Sequence, residues 1–167
     1  MNTISSSGIW YVVNNFNCKP KITKTTGINE KTATIENIFI ASLLHDIGKK
    51  IDSDENIDYE LQCIRGEMLV QKIPMLKDAS KIIRYHFLDW KDWKGSIDKP
   101  LTISSQIILL ANFVDMMISR DRYILHQVDN IWQELFRLED GILSSKVVEG
   151  FKKISIQEEF WFDLTSY

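Results

Sequence analysis

A histidine and an aspartate stand side by side at positions 45 and 46, between two leucines and the tripeptide Ile-Gly-Lys. At a helix end, the imidazole of His45 and the carboxylate of Asp46 can both turn toward one ion. This pair of donors suits Fe, Mn, Zn or a similar divalent cation. Lys49 follows closely enough to meet a phosphate oxygen as a point charge. On spacing alone, however, a His-Asp pair is more often a simple helix-end hydrogen bond.

Two further side chains are candidates because they fall on apolar helical stripes. His86 is in register with Ile82 and Ile83, where a buried polar group needs a partner. A core histidine bonded to a carbonyl is the commoner explanation of this pattern. Asp115 also lies on an apolar face, and a buried carboxylate is costly without a metal, a basic partner or partial exposure. His126 has polar neighbours, and we do not predict it to be a ligand.

The composition is that of one globular domain: 167 residues, 44% hydrophobic and 26% charged. The net charge of −3 argues against a broad nucleic-acid-binding surface, although a metal or a local lysine can still attract an anionic substrate. No signal sequence is visible and the apolar runs are shorter than a membrane span, so we expect a soluble protein without a membrane partner. Cys18 and Cys63 form no zinc or redox spacing, which favours the reducing cytoplasm.

Helical periodicity dominates from residue 34 onward, and no long stretch alternates with period two. We predict an all-α fold: one compact helical domain over residues 34–167, preceded by a polar segment over residues 1–33. The predicted helices include 56–73, a helix opened by Pro74, 104–120, 128–138, 146–154 and a last helix that begins with a capping-box pattern of Ser155 and Glu158.

Side-chain spacing also predicts which groups share a face. On the helix over residues 56–73 the apolar side consists of Leu61, Ile64, Met68 and Leu69. Near the C-terminus, packing between the last helices is the expected role of the aromatic residues Trp132, Phe151, Phe160, Trp161 and Phe162. Trp90 and Trp93 fall in a loop predicted over residues 88–102, and line either a cavity mouth or a dimer interface.

Several segments resemble, in order, the motifs of one known family. The stretch Leu43–Lys49 resembles the signature of the HD superfamily of metal-dependent phosphohydrolases. The segments that follow are similar to the HD-GYP branch of that superfamily: its glycine-led helix at Gly66–Leu69 with Ile73-Pro74, its paired-histidine segment at Ile82–Trp90, its Ala-Asp and Val-Asp helix at Ser105–Asp115, and the closing segment of one subgroup at Phe160–Ser166. The resemblance covers residues 34–167.

This resemblance implies a helical HD-type domain that hydrolyses phosphodiesters, typically cyclic di-GMP, at a buried site of two or three metal ions. A metal-bridging hydroxide attacks phosphorus in such a site. Carried onto this sequence, the metal ligands are His45, Asp46, His86 and, as the second aspartate of its helix, Asp115. The catalytic residues are Asp46 and Lys49, and Lys49 also binds the substrate.

The sequence departs from the family pattern at several ligand positions. Trp10 falls near the place of an upstream histidine, and three other ligands are replaced by Gln62, Phe87 and Asn112. The Gly-Tyr-Pro loop is absent, and residues 94–100 occupy its place. The ligands that remain suit a single Fe, Mn or Zn ion, or none, because the loss of even an outer-shell partner lowers metal affinity about 10–100-fold.

We therefore favour a cytoplasmic HD-GYP-like signalling domain with an eroded metal site and weak or no hydrolysis. Its expected partners are a cyclic dinucleotide or another phosphodiester, a protein partner, or a second copy of the chain. The alternative is an active metal-dependent phosphohydrolase with a reduced site, because His45, Asp46 and Lys49 are intact. A third interpretation is a helical domain with a purely structural or interaction role.

Overall fold

The computed structural model describes residues 11–13, 15, 35–49, 58–93 and 100–166. Trp10, Cys18, most of the polar segment over residues 1–33, and residues 94–99 lie outside them. Within the described ranges no strand is present, so the all-α prediction is confirmed. The α-helices are α1 (residues 11–13 and 15), α2 (Ile35–Leu44), α3 (Tyr59–Val70), α4 (Lys77–Tyr85), α5 (Pro100–Met117), α6 (Val128–Leu138), α7 (Ser145–Ile154) and α8 (Glu158–Thr165). Short 3-10 helices cover Pro74–Leu76, Trp90–Asp92 and Ile124–His126.

Helix α5 is the central helix of the domain. It packs against α2, α4 and α7. By length and composition it is apolar enough to cross a membrane, with a mean hydropathy of 1.3, but 61% of it is buried inside the protein. It therefore has the pattern of a core helix, and its apolar character comes from contact with its neighbours. It begins at Pro100, four residues before the predicted start, because proline suits the first turn of a helix.

Helices α2, α3 and α4 form the layer that holds the candidate site. Helix α4 contacts both α2 and α3. At the end of α2 the chain turns through Gly48, and here two backbones meet. A Cβ atom on Gly48 would overlap the carbonyl oxygen of Gln62 and lie 2.6 Å from the amide nitrogen of Gly66. A glycine is therefore required at position 48 for α3 to approach this turn so closely.

This close approach explains why α3 packs with a different face from the one predicted. Its buried residues are Gln62, Cys63, Gly66 and Val70. Of the predicted apolar side, Leu61, Met68 and Leu69 are exposed. Small and polar side chains face inward because the neighbouring turn leaves no room for larger ones.

The C-terminal helices enclose an aromatic cluster, as predicted for most of its members. Phe151, Phe160 and Trp161 are buried, and their rings meet edge to face at centroid distances of 5.4–5.9 Å. Phe162 differs from the prediction, since it is 37% exposed. Helix α1 joins this cluster through Tyr11, whose hydroxyl donates to Asp163 Oδ2 over 2.7 Å.

The start of α8 also differs from the prediction, because no capping box forms there. The N-cap residue is Gln157, and its side chain makes no capping hydrogen bond. The Ser155 hydroxyl instead donates to the carbonyl oxygen of Phe151 over 2.9 Å, which satisfies the end of the preceding helix. Ser155 is buried, and its carbonyl oxygen accepts a hydrogen bond from the indole of Trp161 over 2.9 Å.

A buried glutamine on α5 joins three separate stretches of backbone. Gln106 is fully buried. Its Nε2 donates to the carbonyl oxygens of Leu88 and Ile142 over 3.0 and 3.4 Å, and its Oε1 accepts from the amide of Ser144 over 2.9 Å. These bonds fix the segment that follows the candidate site residue His86 against the turn between α6 and α7.

We expect Gln106→Ala to lower the free energy of unfolding by about 3 kcal/mol, since buried backbone groups left unpaired cost about 1–3 kcal/mol each. Urea unfolding monitored by far-ultraviolet circular dichroism measures this loss. Gln133→Ala is the matched control, because Gln133 is exposed on α6. Equal losses in the two variants would contradict the role given to Gln106.

Candidate functional site

His45 lies in the first turn after α2 and is only 1% exposed. Its Nδ1 is 2.8 Å from the carbonyl oxygen of Ser42. A carbonyl oxygen only accepts, so Nδ1 carries a proton. The Nε2 atom of His45 has no hydrogen-bond partner within the described part of the chain. It is 3.3 Å from Oδ1 of Asp46.

His86 caps the C-terminus of α4 in the same manner. It is fully buried, and its Nδ1 is 2.7 Å from the carbonyl oxygen of Ile83. Its Nε2 also lacks a hydrogen-bond partner among the described residues. Burial lowers the pKa of His86 to about 4, so the imidazole is neutral near pH 7 and Nε2 is available as a donor of electrons. The two histidine rings meet edge to face with centroids 5.4 Å apart.

Asp46 accepts hydrogen bonds from two side chains. Its Oδ2 accepts from Lys49 Nζ over 2.6 Å, and its Oδ1 accepts from Gln62 Nε2 over 2.9 Å. Burial on its own would raise the pKa of the Asp46 carboxyl, but His45 and the Lys49 ammonium outweigh that effect and lower the pKa to about 2. The carboxylate is therefore ionised near neutral pH. We call His45, Asp46, Gln62 and His86, with Lys49 at their edge, the His-Asp centre.

The positions that the resemblance predicts to be substituted ligands have different surroundings. Gln62 lies in the His-Asp centre itself, through its bond to Asp46. Phe87 packs on the His86 ring at a centroid distance of 4.2 Å and on Tyr59 at 4.6 Å. Asn112 is 1% exposed, and neither its Oδ1 nor its Nδ2 has a hydrogen-bond partner in the described ranges. Phe87 thus covers His86 with an apolar ring.

Asp115 contacts a basic partner at the end of α5. Its Oδ1 is 3.2 Å from the guanidinium of Arg120, and its side chain is 6% exposed. An arginine partner is one of the three explanations that the sequence left open for this residue. His126 is exposed, as expected for a residue that is not a ligand.

Cys63 is a site residue that spacing did not suggest. It is buried, and its Sγ lies 3.6 Å from Nδ1 of His86. Burial raises the pKa of its thiol to about 11, so it remains protonated near neutral pH. The spacing along α3 could have indicated Cys63. It follows Gln62 directly and precedes Gly66 by three residues, which places it on the same buried face of the helix.

Within the centre, the pair His45 and Asp46 has the spacing of two ligands on one divalent cation. In the neutral tautomer with its proton on Nδ1, His45 would direct the lone pair of Nε2 at an oxygen of the Asp46 carboxylate 3.3 Å away. Two atoms that both present lone pairs repel each other unless a proton or a cation lies between them. Ligands with metal bonds of about 2.1 Å are about 3.0–3.4 Å apart on one ion. Both histidines also donate Nδ1–H to a carbonyl, which is the usual outer support of a ligating imidazole.

The same residues do not fit a centre of two or three ions. In the part of the chain that the structure describes, no group of three or more histidine, cysteine, aspartate or glutamate side chains is arranged to hold even one metal ion. Both oxygens of Asp46 are already engaged by Lys49 and Gln62. A second ion would have Phe87 and the neutral Asn112 in place of charged or imidazole ligands.

The fold and the centre together define a helical domain with a His-Asp pair buried between helices. The HD domain family model matches residues 21–117, which is more than half of the chain. The chain belongs to the HD domain family. This family includes metal-dependent phosphohydrolases, and its helical fold agrees with the structure. No curated protein and no solved structure matches the chain.

Proposed function

We propose that this HD domain acts mainly by binding a phosphodiester, with at most one metal ion and little or no hydrolysis. The proposed ligand is a cyclic dinucleotide or a related phosphodiester, as implied by the resemblance to the HD-GYP branch. A protein partner or a second copy of the chain would then receive the signal in the cytoplasm. The single observation that carries the proposal is the hydrogen bond from Gln62 to Asp46.

This hydrogen bond matters because of what Asp46 would have to do in a hydrolytic centre. A carboxylate that bridges two ions needs both oxygens as ligands. Here an amide takes one oxygen and an ammonium takes the other. Since Gln62 occupies the position of a family histidine, a ligand has been replaced by a hydrogen-bond donor that stabilises the carboxylate without metal.

Lys49 is the residue of the centre that we expect to contact the ligand. Its side chain is 38% exposed, whereas that of Asp46 is 26% exposed. The ammonium therefore lies on the solvent side of the pair, where an incoming phosphate oxygen can approach it. A phosphate that engages Lys49 competes with Asp46 for the same charge, which keeps the affinity moderate.

A second candidate function is metal-dependent phosphohydrolysis at a single ion. The Nε2 atoms of His45 and His86 favour it, since neither has a hydrogen-bond partner among the described residues. In this case His45, Asp46 and His86 would hold the ion, which when bound supplies Lewis-acid chemistry and a nucleophilic hydroxide. Lys49 would orient the phosphate, and the partly buried Phe87 would limit the access of bulk water from the His86 side.

The first experiment measures the metal content of untagged protein and its binding of cyclic di-GMP by calorimetry, with and without added Mn²⁺. We expect no more than about one equivalent of metal, and its affinity to fall at least about 100-fold in His45→Ala, since even outer-shell losses cost about 10–100-fold. His126→Ala is the control, because it removes an exposed histidine outside the centre. Helix content is expected to change little in either variant.

Activity assays separate the candidates. Saturable binding of cyclic di-GMP without Mn²⁺-dependent turnover supports the binding function. Turnover of cyclic di-GMP or bis(p-nitrophenyl) phosphate that disappears in His45→Ala would establish the enzyme instead. Absence of both metal and nucleotide binding would leave only the structural or interaction role.

A further inference from the structure

The C-terminal half of the domain contains a cleft of about 400 Å³. It lies where the loop after α5 meets the 3-10 helix Ile124–His126 and helix α8, which contact each other. A volume of this size accommodates a small organic ligand. None of the described residues of the His-Asp centre lines it, so it is a separate feature of the surface.

The loop that forms one wall of the cleft is rigidly held. Gln127 is 8% exposed, and its side chain makes three hydrogen bonds to the loop backbone. Its Oε1 accepts from the amide of Ser119 over 2.8 Å, and its Nε2 donates to the carbonyl oxygens of Ser119 and Arg122, each over 2.9 Å. A loop held in this way presents its side chains without a large ordering cost on binding.

The charge of the cleft is positive. Arg120 and Arg122 both line it, and none of the described lining side chains is acidic. Asp115 contacts the guanidinium of Arg120 at 3.2 Å and so positions it. Arg122 forms no ion pair with a carboxylate in the described part of the chain. A planar guanidinium in this setting suits a phosphate or a carboxylate group.

Two aromatic side chains also line the cleft. Tyr123 and Phe162 have ring centroids 6.0 Å apart, and they are 55% and 37% exposed. The exposure of Phe162 was the one departure from the predicted aromatic core, and its place in the cleft accounts for it. Thr165 adds a hydroxyl beside these rings. Flat apolar surface next to a cation favours a ligand with a ring as well as an anionic group.

We propose that this cleft is a binding site for a small aromatic oxyanion, with its charged group at Arg122 and its ring against Phe162. The site is independent of the His-Asp centre and does not rest on the function proposed for that centre. The oxyanion is a phosphate or a carboxylate, and the probes distinguish the two.

Calorimetric titration of the full chain with phenyl phosphate and with benzoate tests the site. We expect at least one of them to bind saturably with a Kd below about 1 mM. Arg122→Gln is expected to weaken that binding about tenfold or more, since hydrogen bonds to charged groups are the strong ones. Phe162→Ala is expected to weaken it as well, and to leave the response to inorganic phosphate unchanged.

Arg137→Gln is the matched control, because Arg137 is an exposed arginine on α6 paired with Glu134. It and Lys49→Gln are expected to leave the Kd within about twofold. Three results would overturn the proposal: no saturable binding of either probe, equal effects of Arg122→Gln and Arg137→Gln, or loss of binding in Lys49→Gln with retention in Arg122→Gln. The last would place the anion at the His-Asp centre. Arg122 is exposed, so its replacement does not endanger folding.

Discussion

Replacing Gly48 with alanine is expected to lower the free energy of unfolding by about 3 kcal/mol or more, at the upper end of what overpacking costs. The added methyl group would overlap the backbone of α3 at Gln62 and lie 2.6 Å from the amide nitrogen of Gly66. Backbone atoms cannot rotate away, so α3 must move as a unit. That movement would also separate Gln62 from Asp46 and open the His-Asp centre.

Two other glycines provide graded controls for this prediction. A Cβ on Gly66 would lie 2.8 Å from Cγ2 of Ile83, a side-chain atom that can adjust, so we expect Gly66→Ala to cost about 1–3 kcal/mol. A Cβ on Gly141 would meet nothing within 4 Å, so Gly141→Ala should stay within about 0.5 kcal/mol of the natural protein. Urea unfolding of all three variants checks the order. Near-natural stability of Gly48→Ala would show that α3 does not approach this turn as described.

Introducing the two ligands that the resemblance implies at positions 87 and 112 is expected to produce the largest change in metal binding. Phe87→His adds an imidazole beside His86, and Asn112→Asp adds a charge at a buried position whose amide atoms have no hydrogen-bond partner within the described ranges. An outer-shell group contributes about 10–100-fold to metal affinity, and each added ligand should contribute at least as much. The double variant should therefore bind Mn²⁺ at least about 100-fold more tightly. Titration with Mn²⁺ followed by elemental analysis measures this gain.

The control for this prediction is a histidine placed outside the centre. Phe136 is 51% exposed on α6, and Phe136→His should leave the affinity for Mn²⁺ unchanged. No gain in the double variant would mean that positions 87 and 112 do not face the ion. Gln62 would then be the only remaining support for the proposed binding function. The alignment of this chain with the family's ligand positions would have to be revised.

Much of the fold follows from local patterns in the sequence. Helix α6 has the predicted bounds, and α4 buries the predicted stripe at Ile82, Ile83 and His86. Periodicity is enough to predict these two helices, because they pack against their neighbours through side chains. Helix α3 could not be oriented in this way, since its position depends on a backbone contact at Gly48. The apolar periodicity of α3 gave no information about that contact.

The candidate site was predictable where adjacent residues define it and not where distant segments meet. His45 and Asp46 are neighbours in sequence, and the resemblance placed Gln62 beside them, as the structure does. The contact of Asp115 with Arg120 depends on how the loop after α5 turns, which spacing does not determine. Metal ligation by His45, Asp46, His86 and Asp115, and catalysis by Asp46 and Lys49, stay predictions.

The contact between Gly48 and α3 has a consequence for how such a domain changes over evolutionary time. The two segments that carry Asp46 and Gln62 are held together by backbone packing and by the apolar core beneath α4, whereas small metal-dependent domains require the ion itself to fold. Substitutions of ligand residues are therefore expected to change the stability of the fold very little. Drift can remove an activity position by position and still leave a stable, shaped cavity on which selection for recognition can act.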